Sequence, residues 1–150
     1  MAEQTRRPTE IRLGRTSSRE FHATNERGGT ITFGIGDSAD FTPVELMLAA
    51  IAGCGSIDVD IATARRAEPE VFDVVVTGDR VKDATGNRVE DIDVTFDVRF
   101  PEGEDGDRAR RILDQAIQRA HDILCTVSRT IELGTPVVMR RADAPAAGEQ

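Results

Sequence analysis

Residues 41–66 read FTPVELMLAAIAGCGSIDVDIATARR. Thr42 is a good N-cap, Pro43 suits the first helical position, and Glu45 stands three residues after the cap, which together spell a capping box. The reading predicts a helix from Pro43 to about Arg66–Ala67, with Pro69 beyond it and two arginines against its C-terminal dipole. The first half, LMLAAIAGCG, is apolar on every side, and such a helix is expected to be buried on every side. In a chain of 150 residues that describes a central helix with sheet on one side. A second copy of the chain is the natural cover for the other.

Upstream, IRLGRT, EFHATN and TITFGIG are short β-leaning stretches, with Gly28-Gly29 as a hairpin turn between the last two. Downstream, VFDVVVTGDRV (71–81) is β-branched, and RVEDIDVTFDVRF (88–100) alternates strictly. Ile92, Val94, Phe96, Val98 and Phe100 fall on one face and Asp91, Asp93, Thr95, Asp97 and Arg99 on the other, as in a half-buried antiparallel strand. DATGN joins the two as a hairpin. Ala109, Ile112, Leu113, Ala116, Ile117, Ala120 and Leu124 recur at helical spacing and predict a second helix over about 107–124, capped by Asp107. TVSRTIELG reads as a turn before a last strand at about 135–140. Sheet and helix are segregated along the chain, so the fold class is α+β: antiparallel sheets around a long buried helix, plus a second, amphipathic helix. The expected organisation is one domain over residues 10–141, between a flexible N-terminus (1–9) and a flexible tail (142–150).

Nineteen basic against 27 acidic side chains leave a net charge of −8, and a net-acidic chain does not suit nucleic acid or an anionic membrane surface. The longest relevant charge-free run, Leu46–Ile57, falls short of the roughly 20 residues that span a bilayer. MAEQTRRPTE carries no apolar segment, so the expectation is a cytoplasmic protein.

There are two cysteines, Cys54 and Cys125, and two histidines, His22 and His121. No C-x-x-C or zinc-type spacing exists, so neither a metal nor a cofactor is expected. The thiols are either inert buried groups or a redox pair. Gly53 and Gly55 flank Cys54, and glycines inside a helix mark either close packing or access for a ligand. Cys54 lies too deep in the helix for its N-terminal dipole, and Asp58, one turn on, would raise a thiol pKa. A reactive Cys54 therefore needs a cation from elsewhere, with Arg15 or Arg19 of the N-terminal strands as candidates. His121 precedes Cys125 by four residues, as a helix-end histidine or as a catalytic or ligating one.

T-P-V-E-L-M-L-A-A-I-A-G-C-G-S-I-D-V, followed about 70 residues later by C-T-V-S-R-T, resembles the family of osmotically inducible protein C and the organic hydroperoxide resistance proteins, in its A-G-C-x-x-x-D-V branch. Thr126 stands where the family commonly has proline. The resemblance covers about Ile11 to Arg140 and implies an intertwined homodimer with sites at the subunit interface. It also implies a thiol-dependent peroxidase acting on organic hydroperoxides in oxidative-stress protection, with a dithiol as reductant. By position, Cys54 would be the peroxidatic thiol, Cys125 the resolving thiol, and Glu45 the carboxylate that orients an arginine, for which GRTSSRE offers Arg15 and Arg19. Glu45 and Cys54 are nine residues apart on one helix, pointing to opposite faces and about 13 Å apart along the axis. Glu45 would thus serve Cys54 of a partner subunit, or only complete the capping box. A pocket for a small lipophilic ligand and a redox sensor are the other functions this pattern allows.

Overall fold

The computed structural model describes residues 5–142. The expectation of a flexible N-terminus falls in part, and that of a flexible tail almost wholly, outside them. In chain order the elements are β1 (Ile11–Ser17), β2 (Glu20–Asn25), β3 (Thr30–Phe33), α1 (Pro43–Ala64), β4 (Val71–Asp83), β5 (Gly86–Arg99), α2 (Glu104–Arg119), a π turn (Ala120–Leu124) and α3 (Thr126–Glu132). β1–β3 form one antiparallel sheet in sequential order, and β4–β5 form a separate hairpin. The fold is α+β, as the pattern of elements predicts.

Local chemistry explains the elements. In the β2–β3 turn, Asn25 Oδ1 accepts from the amides of Arg27 (3.0 Å) and Gly29 (2.9 Å), and Gly28 takes the left-handed backbone (φ 85°). The capping box of α1 is complete: Glu45 N–H donates to Thr42 Oγ1 (3.4 Å) and Thr42 N–H to Glu45 Oε2 (2.7 Å). The inward set of β5 runs Ile92, Val94, Phe96 and Val98, ending on buried Phe100. β4–β5 carry a bulge between Thr77 and Asp79, opposite Asp91, which has a positive φ of 50°.

α1 lies across the hairpin, with Leu48 against Gly78 and Gly55 against Phe96. Its second half packs on α2. Val59, Thr63, Ala109, Ala116 and Ala120 are buried there, the alanines letting the two helix backbones approach closely. Thr63 satisfies its hydroxyl by donating to the Val59 carbonyl at 3.0 Å.

Three expectations are corrected. α2 starts earlier than Asp107, because Gly103 takes a left-handed backbone (φ 110°) and lets the chain turn straight into the helix. Asp107 then sits in the first turn, where it pairs with Arg110 and complements the dipole. TVSRTIELG is not a turn but the helix α3, capped at its start by Cys125 Sγ, which accepts from the Ser128 amide at 3.4 Å, and closed by Gly134 (φ 61°). Residues 135–140 form no strand: they pair with none of the five strands, and Val137, Val138 and Met139 are 75–91% exposed. Within one chain α1 keeps one face open, the side for which a second copy is the expected cover. Ala49, Ala50, Gly53, Ile57 and Ile61 form an exposed apolar stripe.

That stripe is not alone. Ile11, Leu13 and Ile31 are 51–60% exposed, and the β1–β3 sheet does not pack as a layer on α1 or on the β4–β5 hairpin. α1 is also long and apolar enough by composition to cross a membrane, although Asp58 and Asp60 interrupt it and it packs on α2 and β4.

Candidate functional site

The fold brings together the two cysteines that the sequence keeps apart. Cys54 projects from the middle of α1 and is half-buried; Cys125 lies at the bend between the π turn and α3 and is 1% exposed. The two thiols are close enough to act on one another's acidity, and the Thr126 and Val127 amides also act on Cys54. The π turn sets this geometry. Its extra residue closes with Cys125 N–H donating to the Ala120 carbonyl at 2.8 Å, and it swings the chain back so that Cys125 meets α1.

The thiols are electrostatically unequal. Burial pushes the Cys54 thiol up, and the neighbouring Cys125 adds to that, against the lowering effect of the two amides. Burial also pushes Cys125 up, but the Ser128 hydroxyl and amide, the Cys54 thiol and the Val127 amide outweigh it, so Cys125 ends below the ordinary thiol range. Ser128 Oγ lies 3.2 Å from Cys125 Sγ. The groups around the pair thus push Cys54 up and Cys125 down.

The remaining candidates are distributed as follows. Asp58, expected to raise the Cys54 pKa, is not among the groups that act on it; Asp58 instead lines a separate depression with Arg65, Arg66 and Arg119. Among the described residues, no guanidinium is one of the main groups that shift Cys54. Arg15 lies in β1 and Arg19 in the β1–β2 turn with φ 64°, both on the sheet that stands apart from α1. Glu45 is held by its capping box, accepting from Thr42 Oγ1 at 2.8 Å, while Arg80 donates to that same hydroxyl at 3.2 Å. Because α1 runs unbroken from Pro43 to Ala64, Glu45 stays in its first turn, nine residues before Cys54 at its middle. Gly53 has open space around it and Gly55 makes ordinary contact with Phe96, so neither glycine is demanded by packing within one chain.

Cys125 forms part of the wall of a cleft of about 610 Å³. Ile51, Ile92, Val94, Phe96, Ile117 and Ile131 make its apolar lining, and Asp93, Gln118, His121, Ser128 and Glu132 its polar groups. His121, which the sequence leaves between a structural and a chemical reading, lies on this wall. Its Nδ1 is 2.8 Å from Asp122 Oδ1 and its Nε2 is 2.9 Å from Glu132 Oε1. Asp122 first, and then Glu132, hold the imidazole above its ordinary range. The sequence pattern does not point to Glu132 and Ser128, because TVSRTIELG reads as a turn while the structure forms α3 there. The C-x-x-S spacing from Cys125 to Ser128 is the signal that could have found the cap. Among the described residues, no group of three or more potential ligands is placed to hold a metal ion.

Comparison with known proteins places these features in context. A family model described as OsmC-like protein matches residues 36–140. An uncharacterized protein of Mycobacterium tuberculosis is 31% identical over 139 residues, spanning 92% of this chain and 99% of that one. Among solved structures, an OsmC-like protein from Mycoplasma pneumoniae superposes with a TM-score of 0.68 at 15% identity, over 85% of this chain and 89% of that one. The organic hydroperoxide resistance protein OhrB of Bacillus subtilis superposes with a TM-score of 0.51 at 17% identity, over 82% and 90% of the two chains. At those identities the likeness is one of fold.

Proposed function

The chain belongs to the OsmC-like protein family, and from that premise we propose that it is a thiol-dependent peroxidase that reduces organic hydroperoxides. The observation that carries the reading is the meeting of a half-exposed thiol and a buried one beside an apolar cleft. Such a cleft suits the organic part of a hydroperoxide, and a thiol pair suits its O–O bond.

In the first step the Cys54 thiolate attacks the distal peroxide oxygen. The S–O bond forms, the O–O bond breaks, and the alkoxide leaves and takes up a proton as the alcohol. In the second, the Cys125 thiolate attacks the sulfur of the Cys54 sulfenic acid. The S–S bond forms, the S–O bond breaks, and hydroxide leaves and is protonated to water. A small dithiol then reduces the disulfide by exchange and is itself oxidised to a disulfide. The first step needs Cys54 as thiolate, whereas burial and Cys125 push its thiol up. A homodimer in which the partner supplies the guanidinium of Arg15 or Arg19 meets that need, with Glu45 of the partner subunit orienting it. The exposed stripe on α1 and the unlayered β1–β3 sheet support such an assembly, which would bury well above about 2,000 Å².

The test is consumption of an organic hydroperoxide, against hydrogen peroxide, with a dihydrolipoyl-type dithiol. Cys54→Ser should abolish turnover, and Cys125→Ser should leave one sulfenic acid per chain. Wild-type rates in Cys54→Ser would end the proposal. The cleft volume lies within the range of small-molecule sites, which favours a second reading, a binder of a small lipophilic ligand. Saturable binding without any peroxide turnover would select it.

A further inference from the structure

The redox reading leaves unused a polar network that surrounds the bend at Cys125. His121 reaches over eleven residues of chain to Glu132, tying the start of the π turn to the last residue of α3. Asp122 braces the other ring nitrogen and accepts from Gln118 Nε2 of α2 at 2.9 Å to each carboxylate oxygen. Arg129 Nη1 of α3 donates back to the Asp122 carbonyl at 2.7 Å. Cys125 sits at the bend between these tied ends.

Resting on the thiol-peroxidase reading, we propose that His121 and Glu132 are positioning residues forming a clasp, which holds the bend of Cys125 against Cys54 and sets how readily the resolving thiol closes the disulfide.

The chemistry of the ring supports this. Both nitrogens face carboxylate oxygens, which accept only, so both must donate and the imidazole is held as its cation. Asp122 and Glu132 raise its pKa. The charged groups around it are Asp122 on the π turn, Glu132 and Arg129 on α3, and Asp93 on β5 across the cleft, while α1 presents only Ile51 and Gly55 there. Below the raised pKa the clasp is closed. As pH rises through it, one nitrogen loses its proton and turns a lone pair toward a carboxylate, and the clasp weakens. His121 and Glu132 also form part of the cleft wall with Cys125, so the same opening uncovers the thiol.

The experiment labels the reduced full chain with a maleimide and maps Cys125 by mass spectrometry, from about pH 5.5 to about pH 8.5. A single-turnover measurement with one equivalent of cumene hydroperoxide then follows the Cys54 sulfenic acid into the disulfide. At the acid end, His121→Ala should label Cys125 about threefold to fivefold faster than wild type, the scale of an exposed charge-assisted pair. The difference should vanish at the alkaline end, and disulfide closure should slow by a similar factor in the acid range. Glu132→Gln keeps the volume and should share the phenotype, so the test survives a misfolded His121→Ala. His121→Gln, with an amide donor that does not titrate, should restore part of the protection and flatten the pH profile. Equal labelling of wild type, His121→Ala and Glu132→Gln at every pH overturns the clasp, whether or not the protein turns over peroxide. A wild type that forms no disulfide with the hydroperoxide overturns instead the redox reading, and leaves the labelling difference in place.

Discussion

Gly53→Ala turns the proposed assembly into a sign. Gly53 is exposed on α1, and a methyl built on it meets no atom within 4 Å in its own chain. If that face met only water, alanine would be the better helix former by about 1 kcal/mol. For a domain of this size that raises the melting temperature by about 2–4 °C. If a second copy covers the stripe of Ala49, Ala50, Gly53, Ile57 and Ile61, the methyl enters a packed interface, where overpacking costs about 1–3 kcal/mol. The interface term outweighs the propensity term over most of that range. The expected outcome is therefore a variant that melts lower than wild type at equal concentration and dissociates more readily, by about tenfold for each 1.4 kcal/mol. Thermal melts at several protein concentrations, with light scattering at each, make the measurement. A variant that melts higher with unchanged association would refute the covered face.

Two further outcomes are expected. Gly106→Ala, also a helix glycine, should destabilise by about 1–3 kcal/mol in urea despite its better propensity, because the new methyl would lie 1.8 Å from the Pro101 carbonyl oxygen; a gain in stability would show that the α2 entry can move away. Iodoacetamide titration of Cys54 should show a midpoint below the ordinary thiol range in wild type and above it in the Arg15→Ala/Arg19→Ala double variant, because burial and Cys125 alone push the thiol up; a wild-type midpoint already above that range, unmoved in the variant, would remove the arginine from the site.

Legibility in the sequence followed the range of the interactions. The α1 start is written in three adjacent side chains, Thr42, Pro43 and Glu45, and the structure reproduces each hydrogen bond of the box. The inward face of β5 is written in its period of two, and the buried face of α2 in Ala109, Ala116 and Ala120. The miss at α3 has a local cause: its cap is a thiol, and cysteine is not among the usual N-cap residues, which are Ser, Thr, Asp and Asn. The expected strand at 135–140 failed for the opposite reason, since β-propensity by itself does not bring a segment to a sheet edge, and these residues reach none within the chain. The contact between Cys54 and Cys125 depends on a π turn that no periodicity announces, and His121 acquires its carboxylates only once α3 forms. Asp58 shows that sharing a helical face with Cys54 by spacing does not bring a charge to bear on it.

The standing-apart of the β1–β3 sheet has a consequence for how the chain reaches its native state. A small sheet with its apolar side chains in water has little to hold it. The α1–hairpin–α2 unit, with local pairing and its own buried seam, can form first on the timescale of a single chain. In the proposed homodimer, completion of the N-terminal sheet then becomes second order in protein. Its amides, from Ile11 to Phe33, should stay open to deuterium until association occurs. Dilution would slow folding as well as weaken the product, and a cell making little of this protein would hold it longest with its strand edges uncovered.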